Sequence, residues 1–370
     1  MNRFFHQDLA SLDAAVAGLI QHEAERQGRK LILIPSESQA PEAVRAALGS
    51  VFQNIYAEGY PDESTHGASQ GEILDYESQL AYYRRYADRR YYKGVEYVDV
   101  LESLAQRRAA EAFATNGVPP EEVWANVQPL SGSPANSAVY SALVPLGSTV
   151  MGMDLLHGGH LTHGSPANRS GKSYKIVSYG IDPGTERLDY DAVEELAREH
   201  APKMIIAGYT SYPWMPDWAR FRQIADAVGA YLLADISHIA GMVAAGVVAS
   251  PVGHAHVISF TTHKTLYGPR GACILTTDKK LAQKIDTAVF PGEQGGPHVN
   301  AIAGMAVAFQ IARLPEFRRL QQQVVDNAAY LAAELEHAGL RIPYGGTDTH
   351  MLLVDCKSVR AAEGVSPDGR

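Results

Sequence analysis

Apolar residues recur at helical spacing near the start of the chain, at Leu9, Leu12, Ala15, Leu19 and Ile20, which predicts an amphipathic helix over 9–27 ending towards Gly28. The pattern then becomes irregular and enters a stretch crowded with tyrosines between Tyr56 and Tyr97. From Val123 onward short β-rich runs follow one another, at 123–127, 149–153, 175–179, 204–209, 231–234, 257–260 and 272–276. Amphipathic helical stretches such as 189–200 and 218–229 separate several of them. Strands alternating with helices predict an α/β fold: a mostly parallel central sheet with helices on both faces. In such sheets ligands gather at the carboxyl ends of the strands, so the loops just after each run are the places to look for chemistry. Beyond Pro297 the pattern turns helical, over 301–314 and 316–339, and closes with one expected strand at 351–354 before a polar tail over 357–370.

Composition narrows the function classes. The 370 residues are 46% hydrophobic and 20% charged, which excludes wholesale disorder. Lys and Arg number 32 against 41 Asp and Glu, a net charge of −9 that opposes attraction to phosphate backbones, and no basic run is interleaved with aromatics. No nucleic-acid partner is expected. Asp8, Asp13, Glu23, Glu25 and Arg26 interrupt the N-terminal region, leaving no signal-peptide core. The most apolar region, 230–252, is broken by Asp235 and His238, which a membrane span would bury at high cost. With only Cys273 and Cys356 present, no disulfide framework holds the fold, and a soluble, cytoplasmic protein without a membrane partner is expected.

Three short segments carry candidate chemistry. Ser131-Gly132-Ser133 follows the 123–127 run and opens the helical stretch 135–143. A small hydroxylated turn at a helix N-terminus offers free N–H groups to a phosphate, although an ordinary helix cap has the same look. Asp235-Ile236-Ser237-His238 ends the run at 231–234, where a carboxylate either serves an active site or caps the next turn. Lys264 lies just past the 257–260 run, within Thr261-Thr262-His263-Lys264-Thr265 and ahead of Gly268-Pro269-Arg270-Gly271. It is either a Schiff-base lysine with a lowered pKa or a solvated lysine on a turn. Together the three are the parts that hold pyridoxal 5′-phosphate: a cup for the phosphate, a lysine for the imine and an aspartate for the pyridine nitrogen. Asp235 and Lys264 are 264 − 235 = 29 residues apart, about one strand–connection–strand unit. A rival reading places a metal on His157, His160 and His163 with Asp235 and His238. The histidines sit on a glycine-bearing loop without helical i, i+4 spacing, and an imidazole stacked on a cofactor ring accounts for one of them equally well, so no metal is assigned.

These residues stand in longer stretches that resemble serine hydroxymethyltransferase, a pyridoxal-phosphate enzyme family of the aspartate aminotransferase-like fold (fold type I). The matching segments are Tyr56-Ala57-Glu58-Gly59-Tyr60-Pro61, Asn126 to Ser133, His157 to Gly164, Asp235 to Gly246, Thr261 to Gly271, Val289 to Pro297 and Gly345-Gly346-Thr347-Asp348. The resemblance implies that Lys264 binds the cofactor covalently, Asp235 pairs with the pyridine nitrogen, His160 stacks on the ring, and Thr210, His238 and Thr261 line it. Ser131, Gly132 and Ser133 take the phosphate, with Tyr56 and Gly296 reaching it from a neighbouring subunit. Ser36 and Arg270 fall on the substrate side. Glu58 and Tyr92 come from the partner chain near the serine hydroxyl and the folate, Glu58 as a proton carrier whose pKa burial would raise. Leu155, Gly159 and Leu161 line the pteridine pocket. The implied reaction is the reversible transfer of the serine hydroxymethyl carbon to tetrahydrofolate, leaving glycine, in a homodimer or a tetramer. A folate-independent threonine-type aldolase and a non-catalytic truncated scaffold are the alternatives.

The same resemblance implies three regions: a helical arm and dimer-contact segment over 1–115, a large cofactor-binding α/β domain over 116–310, and an incomplete start of a small C-terminal α+β domain over 311–370. It also exposes departures. An insert, 62–89, lies where the family is very short, and reads as an amphipathic helical excursion that is either a surface elaboration or an interface or entrance element. Ser38 replaces a usual Asn, Lys93 and Val95 fall in a usual Gly-Gly-Cys segment, and Glu293 takes a Gly position. A Gly-Ile-Arg-Val-Gly-Thr-Pro-like segment, whose arginine clamps the substrate carboxylate in the family, is not found in the 370 residues. The expectation is a fragment of a longer reading frame, or a shortened protein that binds cofactor but handles serine poorly.

Overall fold

The structure, a computed structural model, describes residues 3–87 and 89–358. The chain divides into two compact units that part between Glu37 and Ser38. In the first, the helix expected over 9–27 is two helices, Leu9–Leu12 and Ala14–Arg29. Asp13 breaks it: its N–H closes the first helix on Leu9, while its carboxylate accepts from the N–H groups of Ala15 and Val16 and opens the second. A short acidic side chain competes with the helix for backbone donors in this way. Gly28 does not stop the second helix, which ends where Lys30 turns extended.

The second unit is built on seven strands: β1 (Trp124–Asn126), β2 (Thr149–Met153), β3 (Lys175–Tyr179), β4 (Met204–Ala207), β5 (Tyr231–Asp235), β6 (Val257–Thr261) and β7 (Ala272–Thr276). Their order is β1-β7-β6-β5-β4-β2-β3. β7 runs antiparallel to β1 and β6, and every other pairing is parallel. The expected mostly parallel sheet is therefore present, with strand ends shifted by a residue or two.

Alternate residues of each strand enter different cores. Met151, Ile205, Ala207, Leu232, Ala234, Ile258, Phe260, Cys273 and Leu275 face one cluster with Phe113, Phe221 and Phe309. Val150, Met204, Ile206, Leu233, Val257, Ala272 and Ile274 face the other, with Ala135, Val139, Leu281 and Ile285. The first cluster is covered by helices Glu96–Phe113, Trp218–Val228 and Val299–Ala312, the second by Gly132–Leu143 and Lys279–Thr287. Burial on both faces is why the strands read as nearly unbroken apolar runs. Among the described residues no helix is long and apolar enough to cross a membrane.

The helices expected over 301–314 and 316–339 are Val299–Ala312 and Pro315–His337, the second with proline in its first turn. The strand expected at 351–354 is not formed. Among the described residues no strand pairs with this run; the next residue, Asp355, makes an isolated bridge with Arg341, and an extended run forms a strand only where a ladder is present to join. Residues 359–370 of the expected third region lie outside the described residues.

The insert is helical, as expected, and packed. It comprises a 3₁₀ turn Glu63–Thr65, a short helix Gln70–Ile73 opened by a Ser69–Glu72 capping box, and the helix Tyr76–Tyr86 capped by Asp75. Ile73, 1% exposed, forms a small core with Val100 and Leu104 of the Glu96–Phe113 helix. Gln70 bonds Glu111 and Arg108, and His66 stacks on Trp124 with centroids 3.4 Å apart. Ile73→Ala is expected to cost about 2–5 kcal/mol in urea unfolding, the usual range for emptying a buried isoleucine site. A loss below about 0.5 kcal/mol, typical of surface substitutions, would mean that the insert is only loosely attached.

Candidate active site

Parallel pairing of β5 and β6 sets Asp235, the last residue of β5, level with Ser259 of β6, so the segments leaving both strands emerge side by side. Lys264 lies three residues beyond the end of β6. Both residues line a cavity of about 220 Å³ together with Ser131, Gly132, Ser133, Asn136, His160, His163, Tyr209, Thr210, Ser237, His238, Thr261 and His263. The cup, the aspartate and the lysine singled out in the sequence thus share one space.

The Asp235 carboxylate is buried at the cavity wall and held by donors on both oxygens. Oδ1 accepts from Ser237 N at 3.1 Å and Ser237 Oγ at 2.6 Å, and Oδ2 from Asn136 Nδ2 at 2.9 Å. His163 Nε2 lies 3.0 Å from the same Oδ2. Burial alone would raise the carboxyl pKa, but the His163 hydrogen bond and charge, His160 and Ser237 outweigh it and hold the group well below the usual range. Burial lowers the Lys264 ammonium and Arg270 lowers it further, against the pull of Asp235. A depressed amine pKa raises the share of free amine, the nucleophilic form.

The residues fit pyridoxal phosphate on three observations. The helix Gly132–Leu143 points its N-terminus at the cavity, and Ser131 at the cap position makes no side-chain capping bond, which leaves its hydroxyl and the first N–H groups to a phosphate. A Cβ on Gly132 would come within 2.7 Å of Thr261 Cγ2, so only glycine lets the backbone lie this close to β6. Thr261 Oγ1 is a buried hydroxyl without a hydrogen-bond partner in the protein, and it lines the same space.

Burial pushes the His160 imidazole down to about 4, so the ring is neutral at physiological pH. Gly159 delivers it by close approach, since a Cβ there would sit 2.0 Å from Met153 O. His238 is pushed down to about 2 by burial and by Lys264, and its ring stacks on His350 with centroids 5.4 Å apart. The metal reading needed five donors together. Only His160, His163 and Asp235 bring ligand atoms within 4.8 Å of one another. His157 Nδ1 faces Ile181 N, and His238 faces His350. His163 and Asp235 already share a hydrogen bond and His160 Nδ1 is 2.7 Å from Thr162 Oγ1, contacts suited to aligning a carboxylate.

Thr210 lines the cavity, and its N–H donates to Gly158 O at 2.7 Å, tying the histidine loop to the end of β4. Leu155 and Leu161 are exposed, Gly159 is buried and Arg270 is exposed beside the lysine loop. Ser36 belongs to the first unit, in a turn closed by Glu37 N donating to Ile34 O. Ser38 Oγ donates to His263 O at 2.8 Å. Four residues that the resemblance assigns to the site, Tyr56, Glu58, Tyr92 and Gly296, are not among those lining the cavity. They gather elsewhere: the Tyr56 and Tyr92 rings meet edge to face at 5.3 Å, a Cβ on Gly296 would lie 3.3 Å from Tyr56 Cζ, and Glu58 approaches Gly295. Tyr56 and Tyr92 are exposed and Glu58 is half-buried.

Sequence reasoning missed His163 as the donor that aligns Asp235, and missed Asn136 and Ser237 as its other partners. The only signal for His163 was its place beside His160 in a histidine-rich loop. Asn136 carries no motif signal.

Fold, strand-end Asp and Lys, and phosphate cup define a pyridoxal-phosphate-dependent transferase of the aspartate aminotransferase-like fold. The sequence profile of serine hydroxymethyltransferase matches residues 9–85 and 71–366. The serine hydroxymethyltransferase of Synechococcus sp. (strain JA-3-3Ab) is 50% identical over 353 residues, covering 95% of this chain and 74% of its own length. That of Rhodospirillum centenum (strain ATCC 51521 / SW) is 50% identical over 359 residues, 97% of this chain and 76% of its own length. That of Nostoc punctiforme (strain ATCC 29133 / PCC 73102) is 48% identical over the same number, 359. The chain belongs to the serine hydroxymethyltransferase family.

The Asp235 network makes a pH-dependent prediction. His163→Phe removes a donor from the carboxylate, so the Asp235 pKa rises and its charge is lost first as pH falls. Cofactor affinity, followed by absorbance titration, is expected to drop about tenfold near neutrality, in line with one hydrogen bond to a charged group, and further at pH 5 than at pH 8. An affinity that stays level with the parent at both pH values would show that His163 does not act on Asp235.

Proposed function

We propose that this chain catalyses the reversible transfer of the hydroxymethyl carbon of serine to tetrahydrofolate, giving glycine and 5,10-methylenetetrahydrofolate. The observation that carries the reading is the convergence of Lys264, Asp235 and Ser131–Gly132–Ser133 on one cavity, in a chain of this family. Bound pyridoxal phosphate supplies an electron-withdrawing ring that takes up the electron pair left at Cα when the Cα–Cβ bond of serine breaks.

The protein's share is to hold and to move protons. Lys264 Nζ is the covalent anchor. Asp235, kept ionised by its donors, would favour a proton on the ring nitrogen, and neutral His160 would lie beside the ring without adding a charge. Ser131, Gly132 and Ser133 hold the phosphate, while Thr210, His238 and Thr261 fill the remaining wall. Arg270 lies beside the lysine loop, on the substrate side. Leu155, Gly159 and Leu161 offer an apolar surface with a close backbone approach, suited to a flat pteridine. Glu58 carries a proton between the serine hydroxyl and the folate.

Tyr56, Glu58, Tyr92 and Gly296 act in this reading on the cavity of a second copy. Their clustering outside their own chain's cavity supports a homodimer. The exposed apolar residues Val16, Leu19 and Ile20 of the N-terminal arm favour the same association. Both cysteines are free, in keeping with a cytoplasmic enzyme.

The purified chain with pyridoxal phosphate is expected to release glycine from serine only when tetrahydrofolate is present, read by amino-acid chromatography. Equal cleavage of a β-hydroxy amino acid without folate would favour the aldolase, and cofactor capture without turnover would favour a scaffold. Lys264→Ala should abolish turnover. Mixing Lys264→Ala with Glu58→Gln chains should restore about a quarter of the activity, because half the dimers are hybrids with one intact site each. Absence of recovery in a mixture that forms hybrids would overturn the shared site.

A further inference from the structure

The loop that carries Tyr92 is held firmly at its start. The Arg90 guanidinium donates through Nη1 to Ala57 O and Gly59 O, each at 2.9 Å, on either side of Glu58. The same group binds Asp99 Oδ1 and Glu102 Oε2 at 2.7 Å, both on the helix Glu96–Phe113. Tyr91 N donates to Glu58 O at 2.9 Å. Past this clamp the chain leaves the core: Tyr92, Lys93 and Gly94 are exposed, and Gly94 turns with φ +87°. Two contacts catch it there. Lys93 Nζ donates to Arg90 O at 2.9 Å, and Gly94 N donates to the hydroxyl oxygen of Tyr83 at 2.6 Å.

Tyr83 belongs to the insert. Its helix Tyr76–Tyr86 starts at Asp75, directly after the segment that Ile73 and Gln70 anchor on Glu96–Phe113, and Gln79 Nε2 reaches back to Glu72 O at 3.1 Å. The insert therefore leaves the chain at Pro61, crosses the helix that holds Arg90, and returns a phenol to the far end of the Tyr92 loop.

We propose that Tyr83 is a positioning residue for tetrahydrofolate: by fixing the turn at Gly94 it sets the Tyr92 ring against Tyr56 in the folate-side wall that this subunit lends to its partner. The inference rests on the reading of Tyr92 given above. The insert is then an entrance element tuned to folate, and its effect falls on the folate and leaves the cofactor untouched.

Tyr83→Phe removes only the hydroxyl and keeps the ring. It is expected to raise the KM for tetrahydrofolate about three- to tenfold, the range of one neutral hydrogen bond, with kcat, the KM for serine and the bound-cofactor absorbance within about twofold of the parent. Hydrogen exchange of residues 91–95 should quicken in the variant while exchange in the Glu96–Phe113 helix is unchanged. In the parent protein, independently of any substitution, the Gly94 amide should exchange more slowly than that of Tyr92, exposed in the same loop. Tyr92→Ala separates the two levels of the argument. A raised folate KM in Tyr92→Ala with an unaltered one in Tyr83→Phe overturns the positioning role and leaves the Tyr92 reading standing. An unaltered folate KM in Tyr92→Ala overturns both.

Discussion

A single buried charge organises the cofactor end of this molecule. Asp235 closes β5 where little of it reaches solvent, so the carboxylate stays an anion through the donors that surround it. Those donors come from separate parts of the chain: Ser237 from its own turn, Asn136 from the helix after β1, and His163 from the loop after β2. Asn136 in turn accepts from Ser259 Oγ of β6 at 2.7 Å and donates to Thr162 Oγ1 at 2.9 Å, and Thr162 lies against His160. Thr261 N donates to Ser237 Oγ at 3.2 Å and His160 N to His163 Nδ1 at 3.4 Å, so each partner is fixed by a second contact. A buried carboxylate left without one of its donors would be costly, so the network holds the histidine loop, the cup helix and the β5–β6 turns in one arrangement.

The sheet makes that arrangement possible through register. Because β5 and β6 run parallel and in step, residues far apart in sequence leave the sheet on the same side, and the lysine arrives beside the aspartate without any local motif joining them. The antiparallel β7 then carries the chain back, and its residue Ala272 donates to Pro129 O at 3.0 Å, just ahead of the phosphate cup. The core on either face does the rest by alternation: one strand residue feeds the cluster under the Glu96–Phe113 helix, and the next feeds the cluster under the cup helix.

Much of this was legible in the chain because doubly covered strands have to be apolar throughout, and only such runs stand out between amphipathic helices. Asp235 and Lys264 were legible for the opposite reason, as polar residues at the ends of apolar runs. What was not legible depended on partners distant in sequence. Nothing local tells Met351 to Val354 that no strand among the described residues lies beside them. Asp13 reads as one polar position in an amphipathic period, yet its side chain can satisfy two N–H groups and divide the helix. The tyrosines of 62–89 gave away a helix but not its footing, since Ile73 is one apolar residue whose burial follows from Val100 and Leu104 on another element. Asn136 and His163 look ordinary until the fold points them both at one oxygen.

The two sides of the site rest on different charges that are nevertheless joined. On the side that the dimer reading assigns to folate, the buried cation Arg90 plays the part that Asp235 plays in the cavity, paired with Asp99 and Glu102 and capped by two carbonyls beside Glu58. Glu102 does not stop at Arg90: its other oxygen accepts from Gln128 Nε2 at 2.8 Å, and Gln128 also donates to Gly59 O at 2.7 Å. Gln128 stands just before the cup and Asn136 just after it, so the strand-to-helix turn Ser131–Gly132–Ser133 is held at one end by the Arg90 network and at the other by the Asp235 network. The Glu58 segment is therefore linked by buried, charge-assisted contacts to the Ser131–Gly132–Ser133 turn of the same chain, although the two serve different cavities in the dimer reading. Leaving any of these buried charges unpaired is costly, so each network resists displacement of the end of the turn that it holds.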